Sequence, residues 1–385
     1  MGLLRKILAK IFLMMLFIAA GCSDAVIVKN ALLEKPVYPM FGKTPERDFF
    51  YNFDLGDSLT FLWEGKNHGS FAHTSVTLYH NSVFAPDLSG RLKVYDRETG
   101  DKISEGKQKG EIAVAPVIHQ QKVFYVLNDL ESTEVILYVD NFFSGKNLRE
   151  IKLNGKCTNE LLKDDEALYL LEDNGTLYSF NFFGIKNWEI KTGALTLSSP
   201  AMKGNIIVFG NSKGELIGID KEEQKIIYRK KLSGGIESGA AISGSAIFIG
   251  DSEGVLYKID LKDGEVIWKF PTGAKIKTVP VQNDKNIFIG NLSGEMFSMN
   301  KESGELNWRS DTGGILNSTP LLFNDYLVQP DMAKKIYFID VESGVTKNEI
   351  QFDLKVKMSP VFFDGTIFFG TDYGKLFAYK PAEPL

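Results

Sequence analysis

Gly250-Asp-Ser-Glu-Gly254-Val-Leu-Tyr-Lys-Ile-Asp260-Leu-Lys-Asp-Gly264-Glu-Val-Ile-Trp268 carries the unit from which the chain is built. Val255 to Asp260 reads as an alternating strand, with the two-residue period of a half-buried sheet. Gly254 and Gly264 punctuate it on either side, as turns between antiparallel strands require. The apolar run Ile247-Phe-Ile-Gly250 precedes it, and Glu265-Val-Ile-Trp268 opens another strand after it. A shorter apolar strand opens each unit, as in Ser199-Pro200-Ala-Met, Val279-Pro280-Val, Thr319-Pro320-Leu and Ser359-Pro360-Val.

The same grammar returns along the chain. Glycines at the shared turn stand at positions 90, 175, 214, 254, 294 and 374. Two further copies, Asn128–Asp140 and Asp331–Asp340, lack that glycine. With them the turns fall near 90, 133, 175, 214, 254, 294, 334 and 374, eight copies spaced by 39 to 43 residues. Four short antiparallel strands in about forty residues describe a propeller blade, whereas β-solenoids use shorter repeats. The expected fold is all-β, an eight-bladed β-propeller of four-stranded antiparallel blades over residues 58–385. The eighth copy reaches Pro381-Ala-Glu-Pro-Leu385 after its third strand. Its missing outer strand is expected near the N-terminus, where Asp57-Ser-Leu-Thr-Phe-Leu-Trp63-Glu-Gly65 resembles Glu265–Lys269. Residues 58–64 would then close the ring and remove an open sheet edge.

Composition agrees with such a fold and narrows the chemistry. Of 385 residues, 36 are Gly, 28 Phe and 14 Tyr, against 4 His and 2 Cys, so turns and strands are expected and a disulfide scaffold is not. The net charge is −5. Arg5, Lys6 and Lys10 are the only charges in the first 21 residues, and without them 41 basic residues face 49 acidic ones. An acidic chain without a basic run makes a poor nucleic-acid binder.

The N-terminus reads as an address. Its basic residues precede an apolar run, Ile11 to Ala20, too short for a membrane-spanning helix. Ile18-Ala19-Ala20-Gly21-Cys22 resembles the bacterial lipobox. That implies a signal peptide over residues 1–21, lipidation of Cys22, and stable anchoring through several acyl chains. Ser23 follows the cysteine, and Asp24 stands one place beyond an inner-membrane retention signal, so the outer membrane, facing the periplasm, is the expected location. Residues 22–57 show no period and contain Pro36, Pro39 and Pro45; they read as a lipidated terminus and tether.

Asp260-Leu-Lys-Asp-Gly264-Glu-Val-Ile-Trp268 and Asn300-Lys-Glu-Ser-Gly304-Glu-Leu-Asn-Trp308 resemble the PQQ-like propeller repeat. In that family the tryptophan docks between neighbouring blades. The resemblance assigns this structural role to Trp188, Trp268, Trp308 and the closing-strand Trp63, with Tyr228 in the place of the fourth blade. Lipobox, tether and eight blades together resemble the BamB-like lipoproteins of outer-membrane protein assembly, across the whole mature chain. The resemblance implies a non-enzymatic scaffold without a cofactor. Its partners would be the POTRA domains of a BamA-like insertase and unfolded outer-membrane protein clients. It also implies docking through the connector that leaves the third blade. Here that connector is Lys191-Thr-Gly-Ala-Leu195-Thr-Leu197-Ser198-Ser199-Pro200. Leu195 and Leu197 match the family's two leucines, Ser198 stands in place of its Arg, and the loop is shorter. The alternative for the leucines is a pair of core-facing strand residues.

Two other functions share the repeat. A PQQ-repeat lipoprotein scaffolding another envelope complex would have the same fold and anchor. A quinoprotein dehydrogenase would need calcium ligands and commonly an adjacent-cysteine disulfide, and the sequence has no Cys-Cys pair. His68, His73, His80 and His119 lack metal-ligand spacing, so no metal site and no catalytic residue is expected. His68 and His73 share Gly65–Ser75, which reads as a loop projecting from the ring. Cys157 reads as a partly buried, inert thiol.

Overall fold

The computed structural model describes residues 25–28 and 37–382. The signal peptide and Cys22 lie outside the described residues. Eight antiparallel sheets follow one another around a ring. Blade 5 shows the pattern: Ala241–Ser243, Ala246–Gly250, Val255–Asp260 and Val266–Pro271, paired in chain order from the axis outward. The two middle strands are buried on both faces because a neighbouring blade covers each side. The outermost strand alternates between exposed and half-buried residues.

In such a meander the first and third turns of every blade share one face of the ring, here called the hairpin face. The middle turns and the connectors between blades share the other, the connector face. In seven of the eight blades the middle turn uses a left-handed residue. Gly254 supplies it at φ 79°, and in blade 7, where the glycine is missing, Lys334 adopts φ 73° instead.

The ring closes as the sequence predicts. Leu59–Lys66 pairs antiparallel with Lys375–Pro381, from Leu59 opposite Pro381 to Lys66 opposite Lys375, and completes the blade begun by Val361–Phe363. A bulge recurs between the third and fourth strands of most blades. It falls beside the aromatic residue of the outer strand and helps aim that ring at the next blade. Trp308 donates its indole N–H to Val341 O at 2.9 Å and covers Gly344. Trp268 reaches Lys301 O at 3.2 Å over Gly304, and Trp63 reaches Arg97 O at 2.8 Å over Gly100. Tyr228 donates its hydroxyl to Leu261 O at 3.0 Å beside Gly264. Trp188 is half-buried and packs on Tyr169 of its own blade. The turn it faces carries Gln224 where the others carry glycine.

The proposed tether is the main departure. Residues 37–57 pack into the ring rather than linking it to anything. Val37–Tyr38 adds a fifth strand to blade 1 against Leu78 and Tyr79. Pro39, Pro45 and Glu46 then accept backbone hydrogen bonds from Ile118, Met202 and Ile242, on the innermost strands of blades 2, 4 and 5. Phe49 O accepts from Leu322 N, and Tyr51 N donates to Leu322 O in blade 7. Tyr51 and Phe53 pack on Phe323 and Phe362. The segment thus satisfies the inner edges that a ring of sheets leaves open around its axis. Tyr38, Met40, Phe41, Phe49 and Leu55 are buried, and each such side chain contributes about 1.5–3 kcal/mol.

Arg47 lies at the centre of this plug, fully buried. Its guanidinium donates to four carbonyl oxygens, of Phe41, Glu160, Leu161 and Pro200. Burial pulls its pKa down to about 10, and the neighbouring Glu160 charge opposes that shift. Gly65–Ser75 does not project from the ring either. It is the connector from blade 8 to blade 1, with Phe71 buried against Gly370. Cys157 is wholly buried, its Sγ 3.4 Å from Asn159 O, and burial pushes its thiol pKa well up.

Candidate docking site

The connector face holds the residues the sequence singles out for partner binding. Lys191 ends the outer strand of blade 3, and the chain then runs without regular structure to Pro200. Leu195 is 50% exposed and Leu197 is 37% exposed, so neither is a core-facing strand residue. The connector is nonetheless fixed. Thr192 N and Oγ1 both donate to Gly175 O, and Leu195 O accepts from Ser212 N at 2.8 Å. Ser198 is fully buried, donates to Ser238 O at 2.6 Å and accepts from Gly210 N at 3.0 Å. Ser198 therefore acts as an inward anchor, and it presents no charge in the place of the family's Arg. Two apolar side chains held out by a rigid loop suit a protein partner, because little entropy remains to be lost on docking.

Beside Leu197 the axis opens into a cup of about 290 Å³. Phe41, from the plug, and Glu160 line it, along with Glu237, Lys277, Asn317 and His73. Glu237 pairs with Lys275 at 2.6 Å and Lys277 at 3.2 Å; although burial opposes it, these lysines hold its carboxyl below the usual range. His73 sits between Lys357 O and the Asn317 amide, each at 3.2 Å, and burial lowers its pKa. Glu160 accepts from Ala115 N at 2.8 Å, and burial pushes its carboxyl up to about 7. The cup walls are mutually paired side chains, an arrangement suited to holding shape. Among the described residues no group of three or more His, Cys, Asp or Glu side chains is placed to hold a metal ion.

Ile315 and Tyr373 are also exposed on this face, and sequence reading missed both. Tyr373 had a readable signal. It occupies the middle-turn position where other copies carry Ser89, Asn174, Lys213, Glu253 and Ser293.

The profile of the family described as outer membrane protein assembly factor BamB matches residues 88–226 and 220–383. The chain belongs to the BamB family. Among solved structures, BamB from Moraxella catarrhalis is similar at a TM-score of 0.72 and 12% identity, over 84% of this chain and all of that one. The computationally designed Ika8 protein gives the same TM-score at 15% identity, with 84% and 100% coverage. A quinohemoprotein alcohol dehydrogenase from Pseudomonas putida superposes at 0.77 and 9% identity, over 91% of this chain and 81% of that one. At these identities the likeness is one of fold. No curated protein sequence matches the chain. Within the axis the chain's own Phe41, Arg47 and Phe49 are buried, and Phe41 also lines the cup.

Proposed function

We propose that the protein is a non-enzymatic scaffold of outer-membrane protein assembly, anchored through a lipidated Cys22 on the periplasmic side of the outer membrane. It docks on the POTRA domains of a BamA-like insertase and assists insertion of unfolded outer-membrane protein clients. One observation carries the reading. In a BamB-family ring, the two leucines of the blade 3–4 connector stand exposed on a loop pinned by Ser198. The contact is apolar at its centre, with Leu195 and Leu197 as anchors and no arginine.

The test is affinity capture of the full-length lipidated protein from detergent-solubilised envelopes, with mass spectrometry. The expected result is recovery of the insertase by the wild type and its loss from a folded Leu195→Asp/Leu197→Asp double variant. Recovery by both would move the docking surface elsewhere. Reproducible capture of a different envelope complex without the insertase would replace the assembly reading.

A further inference from the structure

The third turn of each blade lies on the hairpin face, and the repeat supplies its own comparison there. Ahead of the turn's end, blade 1 carries Arg97-Glu98-Thr99 and blade 4 Lys221-Glu222-Glu223. Blades 5, 6 and 7 carry Leu261-Lys262-Asp263, Lys301-Glu302-Ser303 and Val341-Glu342-Ser343. Blades 2 and 3 depart, with Asn141-Phe142-Phe143-Ser144 and Asn181-Phe182-Phe183-Gly184. The first phenylalanine of each pair has a packing role. Phe142 is buried against Tyr79 and Phe84, and Phe182 stacks on His119 with ring centroids 3.5 Å apart. The second has none of comparable extent: Phe143 is 49% exposed and Phe183 is 65% exposed. Leu148, on the strand that leaves the first turn, and Ile185, just before the strand that leaves the second, are exposed as well. The two turns are neighbours. Lys122 of blade 2 sits 4.5 Å over the Phe183 ring, and Gly184 lies against Arg149 and Ile151 of blade 2.

The N-terminal residues 25–28 meet the ring at this place. Val28 N donates to Phe142 O, Ile27 N donates to Ser104 Oγ, and the Ile27 side chain lies against Gly145. Only Ser23 and Asp24 separate Ala25 from Cys22. Three residues of extended chain reach at most about 11 Å.

We propose that Phe143 and Phe183, with Ile27, Leu148 and Ile185, form a membrane-contact patch that seats the hairpin face of blades 2 and 3 on the lipid surface carrying the anchor. The inference rests on the reading of Cys22 as lipidated. An acyl chain there holds Ala25 within about 11 Å of the lipidated residue, and Ile27 and Val28 tie that point to the patch. Lipid is therefore the occupant already present at high effective concentration. Exposed Lys146 and Arg149, and the half-buried Lys122, add attraction to anionic headgroups. The acidic turns of blades 4 and 7 do the opposite, so the ring sits tilted, with blades 2 and 3 down and the connector face free.

The test uses full-length lipidated protein in vesicles of phosphatidylethanolamine and phosphatidylglycerol containing doxyl-labelled lipid. A fluorophore is attached at Ser144→Cys, or at Lys213→Cys on the connector face; buried Cys157 stays unlabelled. The expected result is quenching at 144 at least about twofold above that at 213. Adding Phe143→Glu/Phe183→Glu abolishes the excess while the protein still floats with the vesicles. Glutamate is what blades 1, 4, 6 and 7 carry on this turn, so the fold accommodates it. Flotation without excess quenching at 144 overturns the patch and leaves the anchor standing. Failure to float with vesicles removes the anchor and the patch together.

Discussion

The two faces of the ring come from one forty-residue unit, yet the chain fills one itself and leaves the other open. On the hairpin face, residues 37–57 close the axis and Trp63, Trp268 and Trp308 bond to the third turns of the following blades. On the connector face, buried hydroxyls such as Ser198 and Ser238 tie the loops, and Leu195 and Leu197 remain outside. A repeat produces a symmetric frame. The asymmetry that gives such a frame a front and a back comes from the segments that do not repeat.

Deleting residues 37–57 while keeping the closing strand is the harshest way to break this comparison. At about 1.5–3 kcal/mol for each buried side chain, the plug rivals the whole stability of a typical domain. The expected outcome is loss of soluble, cooperatively melting protein, whereas the Leu195/Leu197 double variant melts within about 2 °C of wild type. A deletion variant that melts normally would show that the inner strand edges tolerate water.

Trp308→Ala and Trp188→Ala sharpen the comparison within the outer strands. Loss of the Trp308 ring is expected to cost about 3–5 kcal/mol in denaturant melts. Trp188 is more exposed and faces Gln224 rather than glycine, so about 1–2 kcal/mol is expected there. Equal losses would mean that the glycine under the ring is not what makes the contact strong.

The smallest expected effect concerns the floor of the open cup. Glu160 keeps its proton up to about pH 7 in the folded ring, whereas the unfolded carboxyl releases it near 4.5. The folded state therefore binds more protons between these values, and its stability falls as pH rises from about 4.5 to about 7. Glu160→Gln should flatten that slope and leave the variant more stable than wild type above pH 7 by about 1 kcal/mol, because the buried Arg47 loses a neighbouring charge that offsets part of the gain. Thermal melts at pH 5 and pH 8 measure it; an unchanged slope would place the titrating group elsewhere.

The blades, their number and the closing strand were legible because each is written several times. Val255–Asp260 repeats in Glu295–Asn300 and Lys335–Asp340, and Trp63 copies Trp268. The plug is written once, without a period, and its prolines and charges resemble those of a linker. Its composition still held a clue: Tyr38, Phe41, Phe49, Phe50, Tyr51 and Phe53 are more aromatic rings than a solvated tether carries. Leu195 and Leu197 were ambiguous because a leucine on a connector and one on a short inner strand look alike in sequence. Only the pinning of Ser198 by Ser238, forty residues on, decides which way the loop faces.

The seam between Leu59–Lys66 and Lys375–Pro381 also sets a timetable. A chain made N-terminus first holds its closing strand unpaired until Lys375–Pro381 arrives. The plug faces the same delay, since its acceptors and donors are spread from Ile118 to Asn324. The seven intervening blades assemble from local hairpins, but the circle shuts through a contact spanning more than 300 residues. During that interval both ends are open sheet edges, the species most exposed to misassembly. Whatever receives the emerging chain has to protect two strands that belong together and are made furthest apart.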